Sequence, residues 1–434
     1  MAGIHRTRPG AADMAGATGV TAVACGDGVW MSPGWSNSYM LATDEGRVIV
    51  NTGMGFEGPL HRRAFDAIDT SPVRAVLLTQ GHFDHVGGID VVKDAASEVV
   101  AQANFTMWRD DNERLETFRS RNSAFAFMDA IIAAMEYARS VGVGAVPQGR
   151  PEPTLLVQDR LSLKIGGREL ELIATPGGET FDSMVVWLPE TRTLLSGNLF
   201  GPLFGHVPNL VTIRGDRYRD ALTYIDSLNL VAELAPEVLI TGHFDPVRGA
   251  EQILEEVQAM QEAMRWVHDR TVEGMNAGAN VHTLMREVRV PDHLDVGEGY
   301  GQTKWNVRAI WENYAGWFHH RSTTELYGVA PLAIAGDLVA LAGPEALVAA
   351  ARGHLDEGRA VEALQLTDIV LAADTSTTGS IGTDSMGTDS SGTDSSVAEA
   401  KQVAIAAHQH LLDNTDNFWE RAWLLRSIAK LERP

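Results

Sequence analysis

The sequence predicts an α/β sandwich followed by an all-α domain, and three observations support this fold class. The chain has 434 residues, more than one hydrophobic core usually holds, so we expect two domains. Between residues 20 and 250, short β-type segments that end at glycine or polar residues alternate with helices. From about residue 251 onward, the apolar residues follow helical spacing. We therefore predict two domains, residues 1–260 and 261–434.

Six segments of the first domain are predicted strands because each is a short apolar run that stops at a turn residue. They are "RVIVNTG", "VRAVLLT", "RELELIATPG", "MVVWLP", "TLLSG" and "EVLITGH". In α/β folds the sheet forms a rigid base and the loops after its strands carry the chemistry. Candidate functional residues are therefore expected where these strands end.

The second domain is predicted to be helical. "EQILEEVQAMQEAMRWVHDRTVEGMNAG" and "KWNVRAIWENYAGWF" have helical apolar spacing, while "GPEALVAAARGHLDEGRAVEALQLTDIVLAA" and "AEAKQVAIAAHQHLLD" resemble paired repeat helices. Residues 375–396 repeat Gly-Thr-Asp-Ser and contain almost nothing to bury, so ordering them would cost backbone entropy without compensation. We predict a disordered loop in that segment.

Composition argues against several kinds of partner. A formal net charge of −22 would repel nucleic acid and anionic membrane surfaces, so we expect neither as a partner. Cys25 is the only cysteine, which excludes intrachain disulfides and thiolate zinc clusters. The N-terminal stretch "MAGIHRTRPGAADMAGATGV" has no uninterrupted apolar run, so we expect neither a signal peptide nor a membrane anchor. These features together favour a cytoplasmic protein.

A cluster of metal-ligand residue types follows the predicted strand "VRAVLLT". His82, Asp84 and His85 lie within four residues of one another and precede the close-packing pair Gly87-Gly88. A lone histidine is more often structural than a ligand, but two histidines and an aspartate at this spacing favour a metal site. His243, in "LITGHFDP", lies at the end of another predicted strand. A sheet could therefore bring this histidine close to the other candidate ligands.

The segment "LLTQGHFDHVGG" resembles the His-x-His-x-Asp-His signature of the metallo-β-lactamase superfamily, with Gln80 in the first histidine position. "RWVHDRTVEGMNAG" and "NVRAIWENYAGWF" resemble the helical dimerisation domain of the alkyl sulfatases in that superfamily, and "RGHLDEGRAVEALQLTDIVLAA" resembles its repeat helices. The resemblance extends from about residue 20 to the C-terminus. It implies an αββα sandwich, a helical dimerisation domain and a homodimer. We expect the sterol-carrier-like domain that ends typical alkyl sulfatases to be absent, which argues against capture of long-chain substrates.

The resemblance also implies a set of zinc ligands. They are Gln80, His82 and Glu179 for one ion, and Asp84, His85 and His243 for the other. A carboxylate normally bridges the two ions, but Asn198 occupies the matching region. An amide binds a dication less strongly than imidazole does, and without the bridge nothing screens the repulsion between two close cations. We expect one tight zinc site and one weaker site. Asn51 stands where the superfamily usually has an aspartate that orients the ligand loop.

Substrate residues are implied by the same resemblance. Arg214, in "LVTIRGDRYRDAL", matches a sulfate-contacting arginine of the family, although a surface salt bridge with Asp216 is an equally good explanation. His206, in "LFGHVPN", could donate a proton to the leaving group. Asp84, Arg214 and His206 are therefore the candidate catalytic residues. "FAFMDAIIAAMEYARSVGVGAVPQG" fits either a wall of an alkyl-chain tunnel or a buried core helix.

These features favour a zinc-dependent hydrolase of a small-molecule ester with an anionic head group, and in particular an alkyl sulfate ester. Two alternatives remain open. One is another hydrolase of this fold, acting on a lactone, thioester or phosphoester. The other is a catalytically silent dimeric binding protein, which Gln80 and Asn198 would favour.

Overall fold

The computed structural model describes residues 3–211, 213–374 and 391–433 of the chain. Its first half contains two mixed β-sheets. The first sheet has seven strands in sequence order: β1 (Val23–Gly26), β2 (Val29–Ser32), β3 (Ser38–Thr43), β4 (Gly46–Val50), β5 (Val73–Leu78), β6 (Glu98–Gln102) and β7 (Leu155–Val157). The second sheet has six: β8 (Arg160–Ile165), β9 (Arg168–Ala174), β10 (Met184–Leu188), β11 (Thr193–Gly197), β12 (Val238–Thr241) and β13 (Val247–Arg248).

Helices cover these sheets and make up the rest of the chain. Those before residue 317 are α1 (Gly58–Asp66), α2 (Phe83–Val86), α3 (Ile89–Val92), α4 (Phe105–Ser123), α5 (Met128–Ser140), α6 (Ala221–Leu234), α7 (Ala250–Asn276), α8 (Val281–Glu287) and α9 (Thr303–Ala315). Those that follow are α10 (Ala335–Ala342), α11 (Pro344–Asp356), α12 (Ala360–Ala373), α13 (Ser391–Asp413) and α14 (Phe418–Leu431).

The side-chain alternation of the strands explains the layering. In β4, Val48 and Val50 pack between the two sheets against residues such as Leu172, whereas Ile49 points to the opposite face and packs with Phe65 of α1. The outer face of the second sheet, including Trp187, is covered in the same way by α6, α7 and α9. The result is the predicted αββα sandwich, and all six segments predicted as strands contain one.

Contacts between residues divide the chain into two compact units, Met1–Gly316 and Trp317–Pro434. The boundary predicted near residue 260 lies inside α7, whose buried face belongs to the core of the first unit. The second unit consists of helices, as predicted, with α11, α12 and α13 sharing one apolar core. Of the loop predicted at residues 375–396, residues 375–390 lie outside the described part of the chain, and α13 begins at Ser391. Among the described residues, no helix has the length and apolarity needed to cross a bilayer.

Candidate metal centre

The candidate ligands meet at one edge of the sandwich because each follows the end of a strand. Gln80 and His82 follow β5, and Asp84 and His85 lie on the short helix α2 directly after them. Strands β11 and β12 run parallel, so Asn198 and His243 leave the second sheet side by side. The loop after β9 carries Glu179 to the same edge. The strand ends thus assemble residues from four distant parts of the sequence.

Asp84, His85 and His243 form the first candidate ligand group. One ligand atom from each lies within 4.8 Å of the others. His85 is fully buried and His243 is 4% exposed, whereas the Asp84 side chain is 19% exposed and lines a cavity. Two imidazoles and one carboxylate with a solvent-accessible side fit a zinc ion that keeps an open coordination position.

The main chain holds His243 in the form that a metal requires. Its Nδ1 lies 2.7 Å from the carbonyl oxygen of Trp35, which can only accept a hydrogen bond, so Nδ1 carries the proton. The lone pair on Nε2 therefore points toward the site. Asn198 Nδ2 donates to that lone pair at 3.1 Å, so this amide competes with a cation for His243.

His85 is neutral and held by side chains of the first sheet. Burial lowers its pKa to about 4, so the imidazole is uncharged at neutral pH, as metal binding requires. Its Nδ1 lies 3.0 Å from Asn51 Nδ2 and 3.0 Å from Ser36 Oγ. Asn51 also accepts from the Thr79 backbone N–H through Oδ1 at 3.0 Å, which orients the start of the ligand loop. Asn51 thus retains a positioning role without contributing a negative charge.

Gln80, His82 and Glu179 form the second candidate ligand group. Gln80 Nε2 lies 2.7 Å from His82 Nδ1 and 3.5 Å from Glu179 Oε2, and the last two atoms are 3.4 Å apart. In this arrangement the Gln80 nitrogen, which is a hydrogen-bond donor and not a metal ligand, faces His82 and Glu179. The amide oxygen of Gln80 instead accepts from the backbone N–H of Asn198 at 3.2 Å. The donor set for a cation is therefore weak.

Arg214 further weakens this second group. Its Nη2 donates to His82 Nε2 at 2.7 Å and lies 3.5 Å from Glu179 Oε1. Because a guanidinium only donates, Arg214 occupies the Nε2 lone pair of His82. Burial opposes ionisation of Glu179, but His82 and Arg214 outweigh it and hold the pKa of this carboxyl well below its ordinary value. Glu179 is therefore already paired with a cation of the chain itself, the Arg214 guanidinium.

Asn198 lies between the two ligand groups. Its Nδ2 donates to Glu179 Oε2 at 2.7 Å and to His243 Nε2 at 3.1 Å. Its Oδ1 is buried and has no hydrogen-bond partner among the described residues, which leaves an acceptor that a cation would satisfy. A side chain at Gly242 would begin 2.1 Å from this oxygen, so only glycine allows the close approach.

A cavity of about 230 Å³ opens beside both ligand groups. Its polar lining residues include Asp84, Glu179, His243 and Arg214. Its apolar lining residues include Met14, Trp35, Met54, Phe127 and Ile131. Phe127 and Ile131 come from the segment that the sequence left open between a tunnel wall and a core helix. The structure places them on the cavity wall.

One cavity residue, Arg119, lies outside the sequence motifs. Arg119 of α4 contacts Asp216 through Nη2 at 3.1 Å, and Arg214 contacts the same carboxylate through Nε at 2.7 Å. Burial opposes ionisation of Asp216, but the adjacent arginines contribute to a pKa below its ordinary value. No local pattern marks Arg119, since its helix segment "NERLETFRSRNS" has the charge pattern of a solvent-exposed helix.

The structure does not bring His206 to the cavity, so its predicted role as proton donor needs correction. His206 is not among the described residues that line the cavity. Its Nδ1 accepts from the backbone N–H of Gly299 at 3.0 Å, and its ring packs edge-on against His5. Burial lowers its pKa to about 4, so it is uncharged at neutral pH. The loop that carries it turns toward the N-terminal segment, which the sequence did not reveal.

Comparison with known proteins identifies two protein families along the chain. Residues 32–243 match the metallo-β-lactamase superfamily, and residues 280–432 match the alkyl sulfatase dimerisation domain. The chain is 28% identical over 336 residues to a linear primary-alkylsulfatase of Pseudomonas sp. (strain ATCC 19151), covering 72% of this chain and 62% of that protein. It is 26% identical over 307 residues to an alkyl/aryl-sulfatase of Saccharomyces cerevisiae, covering 66% of this chain and 47% of that protein.

The fold is also shared with a solved structure. A stereoselective inverting sec-alkylsulfatase from Pseudomonas sp. superposes with a TM-score of 0.77 at 20% identity, covering 95% of this chain and 66% of that one. The chain spans less than two thirds of the length of the two sulfatases that it matches in sequence above.

Proposed function

From a chain that joins a metallo-β-lactamase superfamily domain to an alkyl sulfatase dimerisation domain, we propose a metal-dependent hydrolase of alkyl sulfate esters. The cavity carries the proposal because its lining combines two kinds of chemistry. Arg214, Asp84 and His243 line it together with apolar side chains such as Phe127 and Ile131. An anionic head attached to an alkyl group matches this combination.

Asp84, His85 and His243 would hold one zinc ion, which would supply Lewis-acid chemistry at the ester. Arg214 binds the sulfate head, since a planar guanidinium donates paired hydrogen bonds and keeps its charge. Asp84 lines the cavity, where its carboxylate can orient a water molecule. Trp35 contributes both its carbonyl, which orients His243, and its side chain, which lines the cavity.

The position of Arg214 argues against a lactone or a thioester as the substrate of the first rival function. Neither has a full anion for an arginine to bind, and such a hydrolase would be favoured if Arg214 pointed away from the site. Instead, its guanidinium contacts His82 and lines the cavity beside Asp84 and His243. A phosphoester is anionic, so the position of Arg214 does not distinguish it from a sulfate ester. The second rival, a silent binding protein, gives no reason for Asp84, His85 and His243 to converge as they do.

The direct test is release of inorganic sulfate from a series of linear alkyl sulfates of increasing chain length. We expect turnover that depends on added zinc and stops with a chelator. Alkyl acetates of matched length are the control, and we expect them to be poorer substrates because they lack the anionic head. Hydrolysis of acetates or lactones without any hydrolysis of alkyl sulfates would refute the proposal.

Arg214→Ala is expected to impair turnover of sulfate esters far more than turnover of uncharged esters. Only sulfate esters place a full anion beside the guanidinium, and losing such a charge-assisted contact costs ~1.5–3 kcal/mol, or roughly 10- to 150-fold in kcat/KM. The measurement is kcat/KM for an alkyl sulfate and for the matched uncharged ester.

Arg217→Ala is the matched control because Arg217 lies nearby in sequence, pairs with Asp111 and is not among the described residues that line the cavity. It should leave both substrates nearly unaffected. Equal losses on both substrates in Arg214→Ala would mean that Arg214 supports the fold through Asp216 and does not read the head group.

We further propose that the protein is a homodimer through its helical domain. The aromatic residues around the segment "NVRAIWENYAGWF" differ in exposure: Trp311 is buried, whereas Trp317 and Tyr327 are 64% and 70% exposed. Exposed apolar side chains continue beyond it at Val329 and Leu341. An apolar surface of this kind typically marks a protein interface. The match to a dimerisation domain supports a second copy of the chain as the partner.

Light scattering at micromolar concentration should give the mass of two chains. The double variant Tyr327→Glu with Val329→Glu should shift the protein toward monomer, since each new carboxylate would have to be buried without a partner. Val361→Glu on α12, another exposed apolar position, is the control and should leave the mass unchanged. A monomeric unmodified protein would contradict this assignment.

A further inference from the structure

We propose that Arg119 is a specificity-determining residue for the anionic head group and that it acts together with Arg214 through their shared carboxylate, Asp216. This inference rests on the proposed function, because it concerns how the same cavity distinguishes charged from uncharged ligands. Neither the metal motif nor the comparisons assign Arg119 any role. Its position in the cavity and the balance of buried charges support the assignment.

The first step concerns charge. Arg214 alone with Asp216 is a neutral ion pair, with Nε and Oδ2 2.7 Å apart. Glu179 lies 3.5 Å from the same guanidinium and adds a further negative charge. Arg119 provides a second guanidinium beside Asp216, at 3.1 Å, so Arg214 is not the only positive charge that this carboxylate neutralises.

The second step concerns burial. The side chains of Arg119 and Asp216 are 12% and 3% exposed, so their interaction is little screened by solvent. Arg119 also donates to Asn112 Oδ1 and lies over the ring of Trp108, with its guanidinium carbon 5.5 Å from the ring centroid. These contacts fix the position of the guanidinium in advance. The side chain therefore needs little ordering when a ligand arrives.

The third step concerns hydrogen-bonding capacity. Arg119 Nε is buried and has no hydrogen-bond partner among the described residues. The two terminal nitrogens contact Asn112 and Asp216, so the guanidinium is held by its neighbours on α4 and beside Arg214. Arg119 lines the cavity and thus offers a fixed positive charge beside Arg214.

Calorimetric titration with an alkyl sulfonate, a non-hydrolysable analogue of the substrate class, tests the idea without depending on turnover. Arg119→Gln should weaken sulfonate binding by roughly 10- to 100-fold, the usual effect of losing a charge-assisted contact. Binding of the alcohol with the same alkyl chain should change little. In turnover assays the loss should appear mainly in KM for alkyl sulfates, and the bound metal per chain should stay unchanged.

Two further variants separate recognition from folding. Arg119→Lys keeps the positive charge and should recover part of the sulfonate affinity, whereas a purely steric role would give no recovery. Arg114→Gln is the matched control, since Arg114 lies on the same helix, is 67% exposed, and is not among the described residues lining the cavity. It should bind the sulfonate as the unmodified protein does.

Some results would overturn the inference. Unchanged sulfonate affinity in Arg119→Gln, with normal affinity in the unmodified protein, would overturn the role of Arg119 and leave the proposed function intact. Parallel loss of sulfonate and alcohol binding would show a structural role only. Failure of the unmodified protein to bind sulfonates would instead overturn the proposed sulfate substrate, and this inference with it.

Discussion

Replacing His85 with alanine is expected to remove the tight metal ion and to reduce hydrolysis to background. His85 is one of three side chains whose ligand atoms lie within 4.8 Å of one another, and the remaining two are too few for a stable zinc site. Hydrogen bonds from Asn51 and Ser36 surround the ring, so it is already positioned for binding. Metal content after dialysis, together with sulfate release from an alkyl sulfate, measures both effects.

His206→Gln is the control for this experiment. His206 lies away from the cavity, and glutamine can still accept a hydrogen bond from Gly299. We expect normal metal content and near-normal activity in this variant. An inactive His206→Gln with normal metal content would restore the proton-donor role that the sequence suggested. Full activity in His85→Ala would refute the metal-dependent mechanism.

The second prediction concerns how many metal ions the protein holds. The unmodified protein should bind about one tight zinc ion per chain, with a second ion only at higher zinc, because the second ligand group contains an amide and lacks a bridging carboxylate. Gln80→His should tighten the second site. Adding Asn198→Asp should tighten it further, since a bridging carboxylate reduces the repulsion between two cations.

The structure explains why both substitutions are needed. Gln80 Oε1 accepts from the backbone N–H of Asn198, and Asn198 Nδ2 donates to Glu179 and to His243. The Gln80 oxygen is thus already engaged by a backbone N–H. The Asn198 amide occupies lone pairs of Glu179 and His243 that would otherwise reach a metal. An aspartate at position 198 cannot donate these two bonds, so it would release Glu179 and His243 as well as add charge.

Titration with a chromogenic chelator on the unmodified protein, Gln80→His and the double variant measures the affinities and the stoichiometry. Gln102→His is a suitable control, because Gln102 is a buried glutamine at the end of β6 and is not among the described residues lining the cavity. It should not change zinc binding. Two equally tight ions in the unmodified protein would contradict the prediction.

Much of the fold was predictable because its signals are local. The segment "VRAVLLT" is apolar, β-branched and followed by turn residues, and β5 covers Val73–Leu78. Likewise, Asp84 and His85 are close in sequence, and His243 follows a clear strand, so their meeting was predictable from the resemblance and is seen in the structure.

The remaining site features depend on contacts between distant segments. Arg119 lies on a polar helix face, and its proposed role depends on its contact with Asp216, which is distant in the sequence. The carbonyl of Trp35 orients His243, which is 208 positions away in the sequence. Because every residue has a main-chain carbonyl, the residue type alone cannot reveal such an acceptor. His206 was misplaced for the same reason, since its packing depends on the N-terminal segment around His5.

The hydrogen bonds that the amides make have a consequence for how the protein is made in the cell. Glu179 and His243 are both satisfied by Asn198, and His82 is satisfied by Arg214, so the buried ligands have partners supplied by the chain itself. Unpaired buried carboxylates and imidazoles would otherwise make folding depend on the metal. We therefore expect the chain to fold before it binds a metal ion. Metal supply would then limit how many molecules are active, not how many fold.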